Sequence, residues 1–156
     1  MPEAADLARK LTSEGERFAA FFASLTEAQW QAEVYTEGGV WTIRNVLAHL
    51  MTAERAFVRL FSDICAGGGG VSEDFSIDRY NASQQTKTRE LSPADLLEEY
   101  RKARAEMIAF VSGLQDSDLE KIGRHPYLQE TTLREMIKMV YIHNQVHYRD
   151  LKKVIA

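Results

Sequence analysis

The chain has 156 residues, 45% hydrophobic and 27% charged, as expected for one soluble domain with a single substantial core spanning residues 1–156. Its formal net charge is −4, and no run of Lys or Arg is long enough to follow a phosphate backbone, which argues against a nucleic-acid partner. No stretch reaches the roughly 20 apolar residues that span a bilayer, so no membrane partner is expected either.

The first residues, Met-Pro-Glu-Ala-Ala-Asp-Leu, lack the basic and apolar regions of a secretory signal. Cys65 is the only cysteine, which forbids an intrachain disulfide. Both features set the expectation of a cytoplasmic protein. No His or carboxylate adjoins Cys65 in sequence, so its expected role is that of a small buried hydrophobe.

Apolar residues recur at steps of three and four in four long segments, the spacing of helices with one buried face. The first carries Leu7, Leu11, Phe18, Phe22 and Leu25, and a short turn at Thr26–Gln29 follows it. The second carries Ile43, Val46, Leu50, Ala53, Phe57, Leu60 and Ile64. Thr42 is its expected N-cap, and the glycines from Gly67 to Gly70 end it, because they cost too much backbone entropy to continue. The third segment runs from Leu96 to Leu114, opened by Ser92 as cap and Pro93 at the first helical position. The fourth carries Leu133, Ile137, Val140, Asn144, His147, Leu151 and Val154, with Thr132 and Glu135 spaced as a capping box. No run alternates long enough to predict a strand. The pattern is that of an all-α four-helix bundle.

The span from Gly67 to Leu91 is too long for a simple bundle connection. Its second half, from Ser76 to Thr86, reads as a short extra helix capped by Ser76. A glycine hinge followed by a crossover over one end of the bundle is therefore expected, with Phe75, Ile77 and Tyr80 packing it down.

His143 and His147 stand one turn apart on the fourth helix, and residues at i and i+4 are neighbours on a helix surface. Both share a flank with Val140 and so face the core side. Two imidazoles there leave ring nitrogens in need of partners, and a shared cation satisfies one nitrogen of each. His49, at the edge of the second helix's apolar stripe beside Ala53 and Ala56, could supply a third. A hydrogen-bonded core pair or a pH-sensitive patch would give the same spacing. The zincin pattern is absent, since Asn144, Gln145 and Val146 separate the two histidines where that pattern has a Glu. His125, in Gly-Arg-His-Pro-Tyr, falls in the loop before the last helix. A fourth ligand, a substrate contact and a structural loop residue beside Pro126 are all open to it.

Trp41-Thr-Ile-Arg-Asn-Val-Leu-Ala-His49-Leu, the segment Gly123-Arg-His-Pro-Tyr-Leu-Gln-Glu-Thr-Thr-Leu and His143-x-x-x-His147 together resemble the DinB/YfiT-like superfamily. The resemblance covers the chain from about the first helix to its end. It implies a four-helix bundle in which His49, His143 and His147 bind a divalent metal, zinc or nickel by the chemistry of three imidazoles. Many such proteins carry an acidic residue directly after the first His of the last helix, where this chain has Asn144. The resemblance also implies a small-molecule substrate, in some members through a low-molecular-weight thiol, with thiol S-transfer or hydrolysis as the reaction class. Tyr80, Asn81 and Gln84 on the crossover helix, with His125, are the candidate substrate contacts. The other reading is a non-catalytic, dimeric binding or stress-related bundle with a structural metal or none. The aromatic residues Phe18, Phe21, Phe57 and Phe61 motivate the expectation of a homodimer, as excess apolar surface must be covered.

Overall fold

The computed structural model describes residues 2–156. Four long helices form the bundle: α1 (Glu3–Ala23), α3 (Ile43–Cys65), α5 (Pro93–Ser112) and α6 (Leu133–Ile155). Between them lie the short α2 (Glu27–Trp30), the crossover helix α4 (Ile77–Thr88) and a 3₁₀ turn at Asp116–Glu120. The expected architecture is present, with the extra helix between the second and third bundle helices.

Local chemistry explains most of the helix starts. Thr42 accepts from the Asn45 amide while the Asn45 side chain returns to the Thr42 N–H, closing a full box at the start of α3. Ser76 caps α4, and Ser92 caps α5 ahead of Pro93. At α6 only half of the expected box forms. Thr132 accepts from the Glu135 amide at 3.4 Å, but the Glu135 carboxylate pairs with Lys138. The first turn of α1 is capped from a distance, since the Asp116 carboxylate accepts from the amides of Glu3 and Ala4.

Two short antiparallel ladders depart from the sequence expectation. β1 (Glu33–Tyr35) pairs with β2 (Trp41–Thr42), and β3 (Ile122–His125) pairs with β4 (Gln129–Thr132). Each strand has at most four residues, too few for alternation to register. Each hairpin leads directly into a bundle helix, β2 into α3 and β4 into α6. They aim the helix starts that precede the histidines.

The glycine stretch is not a hinge. Gly69 and Val71 bond the backbone of Arg124 on β3, and Gly70 pairs with that residue as a parallel bridge. A Cβ at Gly70, which has φ +94°, would meet the Arg124 backbone at 2.4 Å. Only glycine lets the two backbones approach this closely. Beyond it, Phe75 packs on Tyr80, the Tyr80 hydroxyl donates to the Thr52 carbonyl, and Asn45 and Gln85 exchange hydrogen bonds, which holds α4 against α3. The crossover is a packed segment.

The core has two apolar halves. Leu7, Leu11, Phe57, Phe61, Met107 and Ile137 belong to one, and Phe18, Phe22, Leu47, Leu50, Leu96 and Leu151 to the other. The boundary is polar on three of the bundle helices, with Glu54 on α3, Arg104 on α5 and Asn144 on α6, while Gly15 on α1 leaves room for the Arg104 side chain. Arg104 pairs with the Glu54 carboxylate through Nε and at 3.0 Å through its terminal nitrogen, and it also donates to the Leu11 carbonyl at 2.9 Å. Asn144 donates to the Tyr100 hydroxyl at 2.9 Å. Of the aromatic residues behind the homodimer expectation, Phe18, Phe57 and Phe61 are buried and Phe21 is half-buried.

Candidate metal centre

α3 and α6 pack against each other, and this brings His49, His143 and His147 together. His49 is buried and the other two are half-buried. The Nε2 atoms converge. His143 Nε2 lies 3.3 Å from His49 Nε2 and 3.1 Å from His147 Nε2, and one nitrogen of each ring lies within 4.8 Å of the others. Two nitrogens each bound at 2.0–2.1 Å to one tetrahedral ion would be separated by about 3.3 Å. The spacing therefore fits a shared divalent cation.

The protonation of the rings agrees with that use. Burial, then the neighbouring His147, pushes His49 down to about 4, and burial followed by the other rings pushes His143 down to about 3. His147 is also lowered by burial, against the opposing pull of Asp150. Neutral imidazoles keep a lone pair free for a cation. His49 Nδ1 is buried without a hydrogen-bond partner.

Elements outside the four bundle helices enclose the cluster. Trp41 on β2 lies 5.2 Å from the His49 ring, and Tyr127 in the β3–β4 turn lies 5.8 Å from His143, both centroid to centroid. Tyr35 on β1 reaches α6, where its hydroxyl is 2.8 Å from His147 Nδ1 and donates to Asp150 Oδ2 at 2.6 Å. A cleft of about 480 Å³ is walled by Tyr35, Glu37, Trp41, Asp78 and Asn81; it includes no histidine but shares Tyr35 and Trp41 with the surroundings of His147 and His49. A narrower apolar cavity of about 90 Å³ lies between α3 and the crossover, lined by Phe57, Phe75, Tyr80, Asn81 and Tyr127 among others. A groove of about 320 Å³ between α1 and α5 contains none of the histidines.

The candidate substrate contacts separate by position. Asn81 borders both the cleft and the narrow cavity, and its amide faces His49 and the Tyr127 hydroxyl. Tyr80 lines the narrow cavity alone. Gln84 lines neither, and the adjacent Gln85 makes the contact to α3 instead. His125 is 1% exposed, stacks on Phe57, and accepts at Nδ1 from the amides of Tyr127 and Leu128. Those two bonds shape the β3–β4 turn, and His125 stands outside the three-imidazole group. Asn144 points into the core and away from the cluster, so an acidic residue at this position would face Tyr100. Cys65 is half-buried, and burial pushes its thiol up, as suits an inert side chain.

Tyr35 and Asp150 were not singled out from the sequence. Asp150 carried a signal, since it stands one turn beyond His147, but Tyr35 lies 112 positions away and reaches the site only through the hairpin.

The family model for the DinB superfamily matches residues 3–151. Among solved structures, YfiT from Bacillus subtilis, described as a probable metal-dependent hydrolase with an unusual four-helix bundle topology, shares 15% identity at a TM-score of 0.78, covering 97% of this chain and 85% of that one. The DNA-bound colibactin self-resistance protein ClbS shares 14% identity at 0.76, covering 97% and 94%. The mycothiol-dependent maleylpyruvate isomerase shares 18% at 0.74, covering 96% of this chain but only 59% of its own length. At these identities the structural likeness speaks for the fold alone. The family match extends over nearly the whole chain, and this protein belongs to the DinB superfamily.

Proposed function

We propose that the chain is a divalent-metal-dependent enzyme acting on a small molecule, with His49, His143 and His147 as its metal ligands. The observation that carries this reading is the meeting of three neutral Nε2 atoms at ion-sharing distances, beside a cleft. Zinc or nickel suits three imidazoles. Such an ion would supply Lewis acidity, lowering the pKa of a coordinated water or thiol toward neutrality. The chain's own contribution is to hold the three rings unprotonated, to shield them behind Trp41, Tyr35 and Tyr127, and to leave the cleft for a substrate. Asn81 and Tyr80 are the candidate contacts for that substrate, with Gln84 and His125 further from it.

Small-thiol S-transfer and hydrolysis both follow from an activated nucleophile at this position, and the similar folds include a mycothiol-dependent enzyme and a protein described as a hydrolase. The fold also occurs in a DNA-bound protein, so the reading without nucleic acid rests on this chain's net charge of −4. Among the described residues the cluster has three members, whereas a structural metal favours a closed set of four. That favours catalysis over the non-catalytic bundle. No helix among the described residues is long and apolar enough to cross a membrane, and a cytoplasmic setting suits a chain with one cysteine.

The test is metal content per chain, measured after loading with zinc and desalting. The intact protein retains stoichiometric metal and His147→Ala retains almost none. Equal content in both would refute the ligand assignment.

A further inference from the structure

Tyr35 and Asp150 are not ligands in the three-imidazole site, yet they link one of its rings to a carboxylate. A tyrosine hydroxyl has one proton to give and lone pairs to accept with, and a carboxylate can only accept. At 2.6 Å from Asp150 Oδ2, the Tyr35 proton is committed to the carboxylate. The contact at 2.8 Å to His147 must then run the other way, with Nδ1–H donating to the Tyr35 oxygen. A neutral imidazole protonated at Nδ1 carries its free lone pair on Nε2, the atom that faces His143.

From this chain of hydrogen bonds we infer that Tyr35 is a positioning residue for the metal centre: with Asp150 behind it, it selects the His147 tautomer that presents Nε2 to the ion. The inference rests on the three-imidazole site proposed above. Among the described residues, His147 is the one ring of the three whose Nδ1 is hydrogen-bonded, while His49 Nδ1 has no partner. Outer hydrogen bonds of this kind fix ring orientation and raise ligand basicity.

The relay also has a mechanical role. Asp150 stands three residues after His147 on α6, so the helix sets their relative position. Tyr35 comes from β1, which pairs with β2, and β2 runs directly into the Thr42 cap of α3, the helix that carries His49. The hairpin therefore ties the two ligand-bearing helices together at the site. Its Trp41 packs on His49 while its Tyr35 engages His147.

The experiment reads the tautomer directly. In the metal-free protein, long-range ¹H–¹⁵N correlation spectra of the imidazoles are expected to show His147 protonated at Nδ1. Tyr35→Phe keeps the ring and removes the hydroxyl. It shifts His147 toward protonation at Nε2 and weakens zinc binding, measured by chelator competition, about 10- to 100-fold, with the metal-free melting temperature unchanged. Asp150→Asn frees the tyrosine proton to turn toward His147 and moves the tautomer in the same direction. Should Tyr35→Phe fold poorly, the spectra of the unsubstituted chain and of Asp150→Asn decide the matter. Protonation of His147 at Nε2 in the unsubstituted protein would overturn the inference, as would zinc affinity unchanged in Tyr35→Phe. If the unsubstituted chain binds no zinc, the metal reading fails on its own, while the tautomer of the metal-free chain still decides the relay.

Discussion

Two polar clusters interrupt the apolar interior, and they are built on opposite principles. At the boundary between the core halves, Arg104 and Glu54 answer each other, Arg104 also takes the Leu11 carbonyl, and Asn144 takes the Tyr100 hydroxyl. Burial pushes the Glu54 carboxyl up and the Arg104 guanidinium opposes it, which ties the charge of each group to the presence of the other. Beside that layer, His49, His143 and His147 turn ring nitrogens toward one another, and no charged side chain among the described residues joins those three nitrogens. A closed set of partners secures the packing of four helices. An open set of lone pairs beside a cleft is costly to the fold and useful to a ligand.

The contrast can be broken most forcefully at the closed cluster. Glu54→Gln leaves the Arg104 charge buried without its counterion and is expected to cost about 3–5 kcal/mol in urea unfolding. The pair Glu54→Leu with Arg104→Met, which removes both charges, is expected to recover much of that loss. If the single change costs as little as a surface substitution, the boundary layer does not act as a satisfied unit.

At the open cluster the same measurement should give the reverse. His49→Leu removes a buried imidazole whose Nδ1 lacks a partner, so the metal-free stability is expected to stay within about 1 kcal/mol of the unsubstituted chain or to rise. Metal retention should nevertheless be lost. A cost approaching that of Glu54→Gln would make the imidazoles a second structural cluster and erase the distinction.

A different lever on the same rings is acid stability. Burial holds His125 down at about 4 and His49 at about 4, against an ordinary value of 6.5. The unfolded chain therefore takes up protons that the folded chain refuses, and stability falls as pH drops from 6.5 toward 4. Urea midpoints of the metal-free protein should decline between neutral pH and about pH 5, and less so in His125→Asn. A flat profile would mean that the rings protonate in place.

Long-range placement, more than chemistry, limited what could be foreseen. The half-box at Thr132 shows the limit of a local signal, because Glu135 had a competing partner in Lys138 one turn further on. The glycine stretch invited a hinge because sequence reports the entropy of glycine but not the Arg124 backbone it pairs with. The number of aromatic residues is visible along the chain, while the interior that takes up Phe18, Phe57 and Phe61 is not. The two amides that His125 Nδ1 accepts from belong to its own turn, a shape that spacing alone does not disclose.

What the order of residues determined alone is the periodic part: four amphipathic helices, their caps at Thr42, Ser76 and Ser92, the crossover helix, and two histidines on one flank of α6. These follow from interactions within a few residues, which spacing encodes directly. The tertiary structure alone decided the meeting of His49 with the α6 pair, the closed layer around Arg104, and the arrival of Tyr35 at His147 across 112 positions. Such contacts depend on how helices cross and where a hairpin lands, and those are set by the packing of the whole core.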